Sequence, residues 1–269
     1  MQFPATPHLR VVLSQDICSA SINRPEARNA MNEQVVTDLI AVFDHLQDRP
    51  DIRALVLRGE EGNLCAGGDV KDFARIRGLP GVPGVDAIAA FNRRFGHMLE
   101  LMNHVPQATI VVAEGAVLGG GFGLACVADV TIARRDARFG MPETGLGVLP
   151  AQIAPFVVER IGLSQARRLG VCGARFDGAE AVRLGVAHFE EADADAVAAR
   201  LESVLAQIRR CAPGANAATK KIVLAVGKKA LSEVLDEAAA AFSLALAGEE
   251  AAEGTRAFIE KRNPNWAGA

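Results

Sequence analysis

Several residue types are scarce in this chain of 269 residues, and each scarcity excludes a kind of chemistry. Tyrosine is absent and tryptophan occurs once, so no tyrosine can serve as an acid or a base. The cysteines are odd in number and form no Cys-x-x-Cys pair: Cys18, Cys65, Cys126, Cys172 and Cys211. They predict buried, reduced thiols in a cytoplasmic protein rather than a disulfide framework.

Charge and apolar length are also limited. A formal net charge of −3 provides no basic field that would recruit nucleic acid or an anionic membrane. No run of about 18 apolar residues predicts a spanning helix. Met1–Pro7 has neither a positive start nor an apolar segment, so we expect no signal peptide.

Three common catalytic or binding motifs are missing as well. His97 and His104 lie seven residues apart, but no His-x-x-x-His or Cys/His cluster accompanies them, so we expect no metal site. No Gly-x-Ser-x-Gly elbow predicts a serine nucleophile. No Walker lysine motif or Gly-x-Gly-x-x-Gly in register favours a nucleotide.

The pattern that is present alternates between strands and helices over residues 1–190. This alternation predicts an α/β layered fold with parallel crossovers, opened by a hairpin of Leu9–Leu13 and Ile17–Ile22. The alanine-rich segment 191–269 has only helical periodicity. We therefore predict two regions, a core at 1–190 and a helical C-terminal region at 191–269, with helices near 193–211, 216–226, 230–247 and 249–261.

Local signals place the ends of individual elements. Asn32 is a suitable N-cap for a helix to about Leu46, and Ser164 for a helix to Leu169. Gly178–Leu184 reads as a helix that Gly185 terminates. Val186–Phe189 is the predicted last strand, and Arg77–Gly84 has the composition of a loop.

The segment Gly115–Gly123 joins an apolar run, Ala108–Ala113, to a helical pattern that continues over Leu124–Ala128. Glycines at a strand-to-helix transition leave N–H groups open, and the helix dipole favours a negatively charged oxygen there. A second glycine loop, Ala66–Asp69, also follows a strand. Two such loops at one sheet edge could form an oxyanion hole, although each by itself is more typical of a tight turn without a ligand.

Four segments together resemble the signature segments of the crotonase (enoyl-CoA hydratase/isomerase) family, in order and in spacing: Asn23–Met31, Leu64–Asp69, Gly119–Asp129 and Phe139–Glu143. The resemblance implies a spiral of ββα units with a C-terminal helical trimerisation region. It further implies an acyl-CoA substrate, no cofactor beyond the coenzyme A moiety of that substrate, and a homotrimer or a hexamer built as a dimer of trimers.

By the same resemblance, the N–H groups of Gly68 and Gly120 bind the thioester oxygen, which carries the charge of an enolate. Glu143 would be the catalytic acid and base. Its apolar neighbours should disfavour the charged carboxylate and raise its pKa. Without the resemblance, a glutamate interacting with a helix dipole would be the simpler interpretation of Glu143.

The resemblance also implies a path for coenzyme A. Its residues would be Ala27, Arg28, Ala30, Ala66, Asp69, Val70 and Lys71, with Phe258 and Lys261 completing an adenine pocket, often that of a neighbouring subunit. Lys71 could approach the phosphates. For Lys261 a solvated helix end is an equal alternative, and Asp69 is more simply a helix N-cap than an acid. Asp129, which precedes a strand, is expected to be structural.

One position departs from the family pattern. Gly123 stands where hydratases carry a second glutamate that helps to activate water. The segment Leu149–Pro155 resembles the branch that acts on methylglutaconyl-CoA and isohexenylglutaconyl-CoA, and an open Gly123 would make room for a bulky or carboxylated acyl group. We therefore expect a hydratase for branched or glutaconyl-type 2-enoyl thioesters. A single-glutamate enoyl-CoA isomerase and a non-catalytic acyl-CoA binder remain the alternatives.

Overall fold

The computed structural model describes residues 3–77 and 87–267. Strands and helices alternate as far as residue 191, and helices follow. The strands are β1 Leu9–Ser14, β2 Ile17–Ile22, β3 Ala54–Gly59, β4 Ala108–Ala113, β5 Ala116–Leu118, β6 Val130–Arg134, β7 Arg138–Gly140, β8 Arg175–Phe176 and β9 Phe189–Glu191. The α-helices are α1 Glu33–Gln47, α2 Val70–Arg77, α3 Ala87–His104, α4 Gly120–Val127, α5 Ala154–Cys172, α6 Gly178–Leu184, α7 Ala194–Arg209, α8 Pro213–Ala225, α9 Leu231–Leu246 and α10 Glu249–Glu260.

The larger sheet has the strand order β1-β2-β3-β4-β6-β9. β1 and β2 form the predicted antiparallel hairpin, with Leu9 opposite Ile22. The remaining neighbours pair in parallel, so each needs a crossover, and helices supply most of these. The predicted mixed α/β class with parallel crossovers is confirmed.

Both faces of this sheet are buried, because successive side chains of a strand point to opposite sides. Leu55 and Leu57 of β3 join the core cluster that includes α1, α3 and α4. Ala54 and Val56 point to the other face, where they join the cluster that includes Val197 of α7. The first helix of the C-terminal region is thus packed on the sheet, and the division at residue 190 stays a prediction.

The smaller sheet, β5-β7-β8, produces the ββα pattern. β4 lies in the larger sheet and β5 in the smaller one, and α4 follows; β6, β7 and α5 repeat this order. β5 is a three-residue strand inside the glycine segment that the sequence analysis treated as one strand-to-helix transition. Its role is to carry the chain from one sheet to the other immediately before α4.

Most helix ends agree with the local signals, and α5 is the main exception. The Asn32 side chain accepts a hydrogen bond from Val35 N–H, and Gly185 ends α6 in a left-handed conformation. The prediction that a helix begins at Ser164 is wrong, because α5 begins at Ala154 and runs through a kink at Gly162 with φ of +77°. The cap-like signal at Ser164 marks the restart of the helix after this kink.

Three further predictions need comment. β9 lies at Phe189–Glu191 rather than at Val186–Phe189. The four predicted C-terminal helices correspond to α7–α10. The predicted loop at 77–84 falls, apart from Arg77, outside the described residues. Over residues 3–77 and 87–267, no helix is both long enough and apolar enough to cross a membrane.

Candidate active site

The two glycine loops lie side by side because the backbone around Cys65 pairs with β5. Cys65 N–H donates to the carbonyl oxygen of Ala116 at 2.8 Å, and Leu118 N–H donates to that of Cys65 at 2.9 Å. Gly67 packs against Leu118, whose carbonyl oxygen would lie 3.6 Å from a Cβ added to Gly67. The predicted meeting of the two loops is therefore present in the fold.

The Cys65 side chain lies between the two loops. Its Sγ accepts a hydrogen bond from Gly67 N–H at 3.3 Å. A Cβ on Gly121 would lie 2.7 Å from the Cβ of Cys65, so the close approach requires glycine there. Burial raises the pKa of the Cys65 thiol to about 11, which keeps it protonated and makes it a structural group.

The backbone N–H of Gly68 points away from Met31, the residue with which Gly68 forms a β-bridge. Met31 N–H donates to the Gly67 carbonyl oxygen at 2.8 Å, and Asp69 N–H donates to that of Met31 at 2.9 Å. This is a parallel bridge between Met31 and Gly68, in which the N–H of Gly68 itself points to the opposite side. That N–H donates to no other residue in the described part of the chain.

Gly120 supplies the second free N–H, at the first turn of α4. The preceding Gly119 has φ of +51° and ψ of −113°, a backbone conformation that residues other than glycine rarely adopt. Among residues 3–77 and 87–267 the N–H of Gly120 has no acceptor, as expected for the first helical residue. Gly68 and Gly120 both line a pocket of about 450 Å³.

Glu143 lines the same pocket. It lies in a 3₁₀ turn, Pro142–Leu146, which Gly147 closes by donating its N–H to the Glu143 carbonyl oxygen. Oε1 of Glu143 would lie 2.7 Å from a Cβ on Gly119, so the carboxylate reaches the start of α4. Oε2 is buried and has no hydrogen-bond partner in the described part of the protein. Burial raises the pKa of Glu143 above its ordinary value of 4.5, the direction that the sequence predicted.

Gly123 does not open the pocket, which corrects one expectation. A Cβ at this position would lie 2.6 Å from Cγ2 of Ile153 and 3.3 Å from Cδ1 of Leu99. Gly123 and Ile153 are both buried. The missing side chain therefore makes room for Ile153 of the segment before α5, and not for an acyl group.

The segment that the resemblance assigned to coenzyme A lies next to the glycine loop Ala66–Asp69. Ala66 N–H donates to the Arg28 carbonyl oxygen at 3.1 Å, and Arg24 bonds both the Ala30 carbonyl oxygen, at 2.5 Å, and Asp69 Oδ2, at 3.0 Å. Asp69 Oδ1 also accepts from Lys71 N–H at 3.0 Å. Asp69 is thus the N-cap of α2, as the simpler interpretation proposed, and Ala27 ends the 3₁₀ turn before Arg28.

Four further residues of the predicted coenzyme A path lie in two separate places. Val70 is exposed, as is Lys71, immediately after the loop of Gly68. Phe258 and Lys261 belong to the end of α10, where Phe258 is 85% exposed and Lys261 adopts a left-handed conformation. Neither of the latter two lines the pocket of Glu143. Within one chain the structure does not bring them to the site.

Asp129, which was expected to be structural, is held in a network of hydrogen bonds. Asp129 Oδ2 accepts from Thr109 N–H at 2.8 Å, from Thr109 Oγ1 at 2.9 Å and from Lys220 Nζ at 2.8 Å, which fixes the start of β6. Over residues 3–77 and 87–267, no group of three or more His, Cys, Asp or Glu side chains could hold a metal ion.

Sequence reasoning assigned no function to three residues at this site. Cys65 gave no signal beyond a buried thiol. Asn92 is one polar residue in an amphipathic helix, and Gln152 is one polar residue in an apolar segment. Asn92 and Gln152 line the pocket and are hydrogen-bonded to each other at 2.9 Å across a separation of 60 residues.

A mixed α/β fold in which two free backbone N–H groups and a half-buried glutamate share one pocket defines a candidate enzyme for carbonyl compounds that pass through an enolate. Comparison with known proteins assigns the chain to a family. The sequence profile of the enoyl-CoA hydratase/isomerase family matches residues 13–269. The chain belongs to this family.

Individual relatives agree with this assignment. A Mycobacterium tuberculosis protein named probable enoyl-CoA hydratase echA8 is 34% identical over 248 residues, which cover 91% of this chain and 92% of the relative. Pseudomonas aeruginosa AtuE is 54% identical with a TM-score of 0.93, covering 97% of this chain and all of the other. An enoyl-CoA hydratase/isomerase from Marinobacter aquaeolei is 47% identical with a TM-score of 0.94, covering 97% and 99%. The predicted enzyme class, enoyl-CoA hydratase, is confirmed by these matches.

Proposed function

We propose that this enzyme adds water reversibly and syn across the double bond of a 2-enoyl-CoA thioester. The observation that carries the proposal is the shared pocket of Gly68, Gly120 and Glu143. Its two unpaired N–H groups provide a site for the thioester oxygen, and the raised pKa of Glu143 suits a group that must both accept and donate a proton near neutral pH.

The proposed mechanism uses Glu143 twice. Its carboxylate takes a proton from water while the water oxygen forms a bond to Cβ, and the double-bond electrons move onto the thioester oxygen as an enolate. The N–H groups of Gly68 and Gly120 stabilise this charge, a contribution that is typically about 2.7–4 kcal/mol for one donor. Protonated Glu143 then transfers the proton to Cα. No cofactor is needed beyond the coenzyme A of the substrate.

For the substrate we propose a branched or glutaconyl-type acyl group. The open space that was expected at Gly123 is filled by Ile153, so it no longer supports this choice. What supports it is the segment Leu149–Pro155, which resembles the glutaconyl branch and supplies Leu149, Pro150, Gln152 and Ile153 to the pocket wall.

Isomerisation of a 3-enoyl thioester is the second candidate. Glu143 is the one ionisable side chain among the described residues of the pocket wall, and a shuttle of one proton between two carbons needs only one carboxylate. A non-catalytic acyl-CoA binder would not require the raised pKa of Glu143 beside two free N–H groups.

A panel of 2-enoyl and 3-enoyl thioesters, followed by the absorbance of the conjugated enoyl group, separates these functions. Loss of absorbance from a 2-enoyl substrate indicates hydration, and a gain from a 3-enoyl substrate indicates isomerisation. No change in absorbance with any substrate indicates a non-catalytic acyl-CoA-binding protein. Glu143→Gln should lower kcat at least about 100-fold. The matched control is Glu202→Gln on the exposed side of α7, which should retain wild-type kcat.

We further propose that Ala27, Arg28, Ala30, Ala66, Asp69, Val70 and Lys71 border the coenzyme A path, with the exposed cations Arg28 and Lys71 near its phosphates. Lys71→Ala should raise the KM for a CoA thioester several-fold and leave the KM for the phosphate-free pantetheine thioester unchanged. An equal rise for both thioesters would remove Lys71 from the phosphate site.

For the C-terminal helices we propose contacts between copies of the chain, as a trimer or a dimer of trimers. Large apolar side chains are exposed there, with Phe242 68%, Leu244 76% and Ile259 73% accessible in one chain. Phe258 and Lys261 would then complete the adenine pocket of a neighbouring copy. Light scattering after size-exclusion chromatography measures the mass, and a monomer would exclude this assignment.

A further inference from the structure

A carboxamide pair lies in the wall of the active-site pocket. Asn92 projects from α3, and Gln152 lies two residues before α5. Gln152 Nε2 donates to Asn92 Oδ1 at 2.9 Å, and both side chains are half-buried. The pair links two elements that are distant in sequence and border the pocket of Glu143.

Gly96 makes this position of Gln152 possible. A Cβ on Gly96 would lie 2.0 Å from Oε1 of Gln152, too close for any side chain to be added without displacing the amide. One residue earlier on α3, Phe95 packs against the oxyanion-hole candidate Gly120, with ring atoms 3.0 Å from a Cβ added there. The same helix therefore contacts both the thioester end of the pocket and the carboxamide pair.

The pair is rich in hydrogen-bond donors. Two carboxamides carry four N–H bonds and two carbonyl oxygens, and the bond between them uses one of each. Three N–H bonds and one carbonyl oxygen are left, whichever way the amides are oriented. Neither Asn92 nor Gln152 makes another side-chain hydrogen bond within the described part of the chain. This surplus of donors suits an acceptor with two oxygens.

The surroundings of the pair are mostly apolar. Phe91, Phe95, Val148 and Leu149 belong to the same wall. A few polar groups in an apolar pocket usually determine how a ligand is oriented and which ligand is accepted. Apart from Glu143, Asn92 and Gln152 have the polar side chains among the described residues of the pocket wall. The neighbouring cation Arg93 is exposed, is paired with Glu100 at 2.8 Å and does not belong to this wall.

We propose that the Asn92–Gln152 pair binds a carboxylate at the far end of the acyl chain and thereby selects carboxylated enoyl thioesters. This inference rests on the proposed function, because it names the substrate class of the same pocket. Binding of a carboxylate by N–H donors satisfies groups that an apolar chain would leave unpaired, so an alkyl-ended substrate is disfavoured. The two residues determine specificity and take no part in the proton transfers.

The test compares substrates that differ only in this group. Glutaconyl-CoA and 2-pentenoyl-CoA have five acyl carbons and end in a carboxylate and a methyl group. In the wild-type enzyme kcat/KM should be at least about 10-fold higher for glutaconyl-CoA. Gln152→Leu should lower that value about 10- to 100-fold, and the value for 2-pentenoyl-CoA less than about 3-fold. Gln165→Leu, a half-buried glutamine outside the pocket wall, is the control and should change neither value.

A second variant tests the position of the amide without removing it. Gly96→Ala adds a methyl group where Gln152 Oε1 lies, and the end of a flexible side chain can move away. Because alanine favours a helix over glycine, the melting temperature should stay or rise. The preference for glutaconyl-CoA over 2-pentenoyl-CoA should still fall about 10-fold. A folded Gly96→Ala enzyme with wild-type preference would overturn the inference, even if Gln152→Leu failed to fold.

Binding separates this inference from the hydratase proposal. Glutaryl-CoA and pentanoyl-CoA are saturated and cannot be hydrated, and their Kd values can be measured by calorimetry on the wild-type protein and on both variants. If neither enoyl substrate is hydrated, the hydration proposal fails, while tighter binding of glutaryl-CoA that is lost in Gln152→Leu still supports the pair. Equal losses for both members of a substrate pair, or equal wild-type affinities, overturn the inference and leave the hydratase proposal standing.

Discussion

Two successive turns of α4 contain glycine for opposite reasons. At the start of the helix, Gly119 and Gly120 keep the backbone open toward a pocket, with Glu143 close to the place of a Gly119 side chain. One turn later, Gly123 is sealed by Ile153. The start of the helix leaves the N–H of Gly120 free, and the later glycine admits a neighbouring side chain into the core.

The difference teaches that the absence of a side chain does not by itself indicate space for a ligand. In the sequence, Gly123 marks only a missing carboxylate. In the structure, Ile153 of the segment Leu149–Pro155 fills the space beside Gly123, and the same segment places Gln152 in the pocket wall. The filled space at Gly123 and the position of Gln152 thus both depend on the placement of this one segment.

Among the substitutions that test this difference between the glycines, Gly119→Ala should have the largest effect on activity. The residue has φ of +51° and ψ of −113°, and its new Cβ would lie 2.7 Å from Glu143 Oε1. We expect kcat/KM to fall about 100-fold, because the first turn and the glutamate both shift. Gly145→Ala is the control, since no atom lies within 4 Å of its added Cβ. Wild-type kinetics in Gly119→Ala would mean that the first turn tolerates a side chain.

Gly123→Ala should act on stability instead. The added methyl group overlaps Ile153 Cγ2 at 2.6 Å in a packed core, and overpacking of this kind costs about 1–3 kcal/mol of unfolding free energy. Chemical denaturation measures it. In an Ile153→Ala background, itself measured separately, the same substitution should cost much less. Additive costs in this double-mutant cycle would show that Ile153 is not what seals Gly123.

Cys65→Ala tests the link between the two glycine loops. Removal of Sγ leaves the N–H group of Gly67 without its acceptor and loosens the packing of Cys65 against Gly121, so both oxyanion-hole candidates become less well positioned. We expect kcat to fall about 10-fold with little change in KM, and Cys65→Ser to restore much of it because a hydroxyl also accepts. An effect on KM alone would contradict this role.

The smallest expected effect concerns pH. Because the pKa of Glu143 is raised in the folded protein, its contribution to stability is fully present below the ordinary value of 4.5 and is lost as the pH rises through the folded pKa. The unfolding free energy of Glu143→Gln relative to wild type should therefore increase from about pH 4 to pH 8. A difference that stays flat over this pH range would contradict burial of the carboxylate. The same group should control the pH dependence of hydration. In the wild-type enzyme the rate should fall at low pH as Glu143 becomes protonated, and the residual rate of Glu143→Gln should not show this fall.

Much of the fold could be predicted from local patterns. The hairpin, the Asn32 cap and the C-terminal helices each depend on neighbouring residues, and all are present. The start of α5 could not be placed, because nothing local indicates that a helix will continue through Gly162 with φ of +77°. β5 is too short for its three residues to show a period.

The candidate site divides in the same way. The sequence by itself determined the free N–H groups of the two loops, the apolar surroundings of Glu143 and, through four ordered segments, the family. Only the tertiary structure decided what fills the space at Gly123 and which polar side chains line the pocket. Ile153 contacts Gly123 across 30 residues, and Gln152 bonds Asn92 across 60 residues. Side-chain volume and hydrogen-bond pairing at such distances leave no trace in a local pattern, so they appear only once the chain is packed.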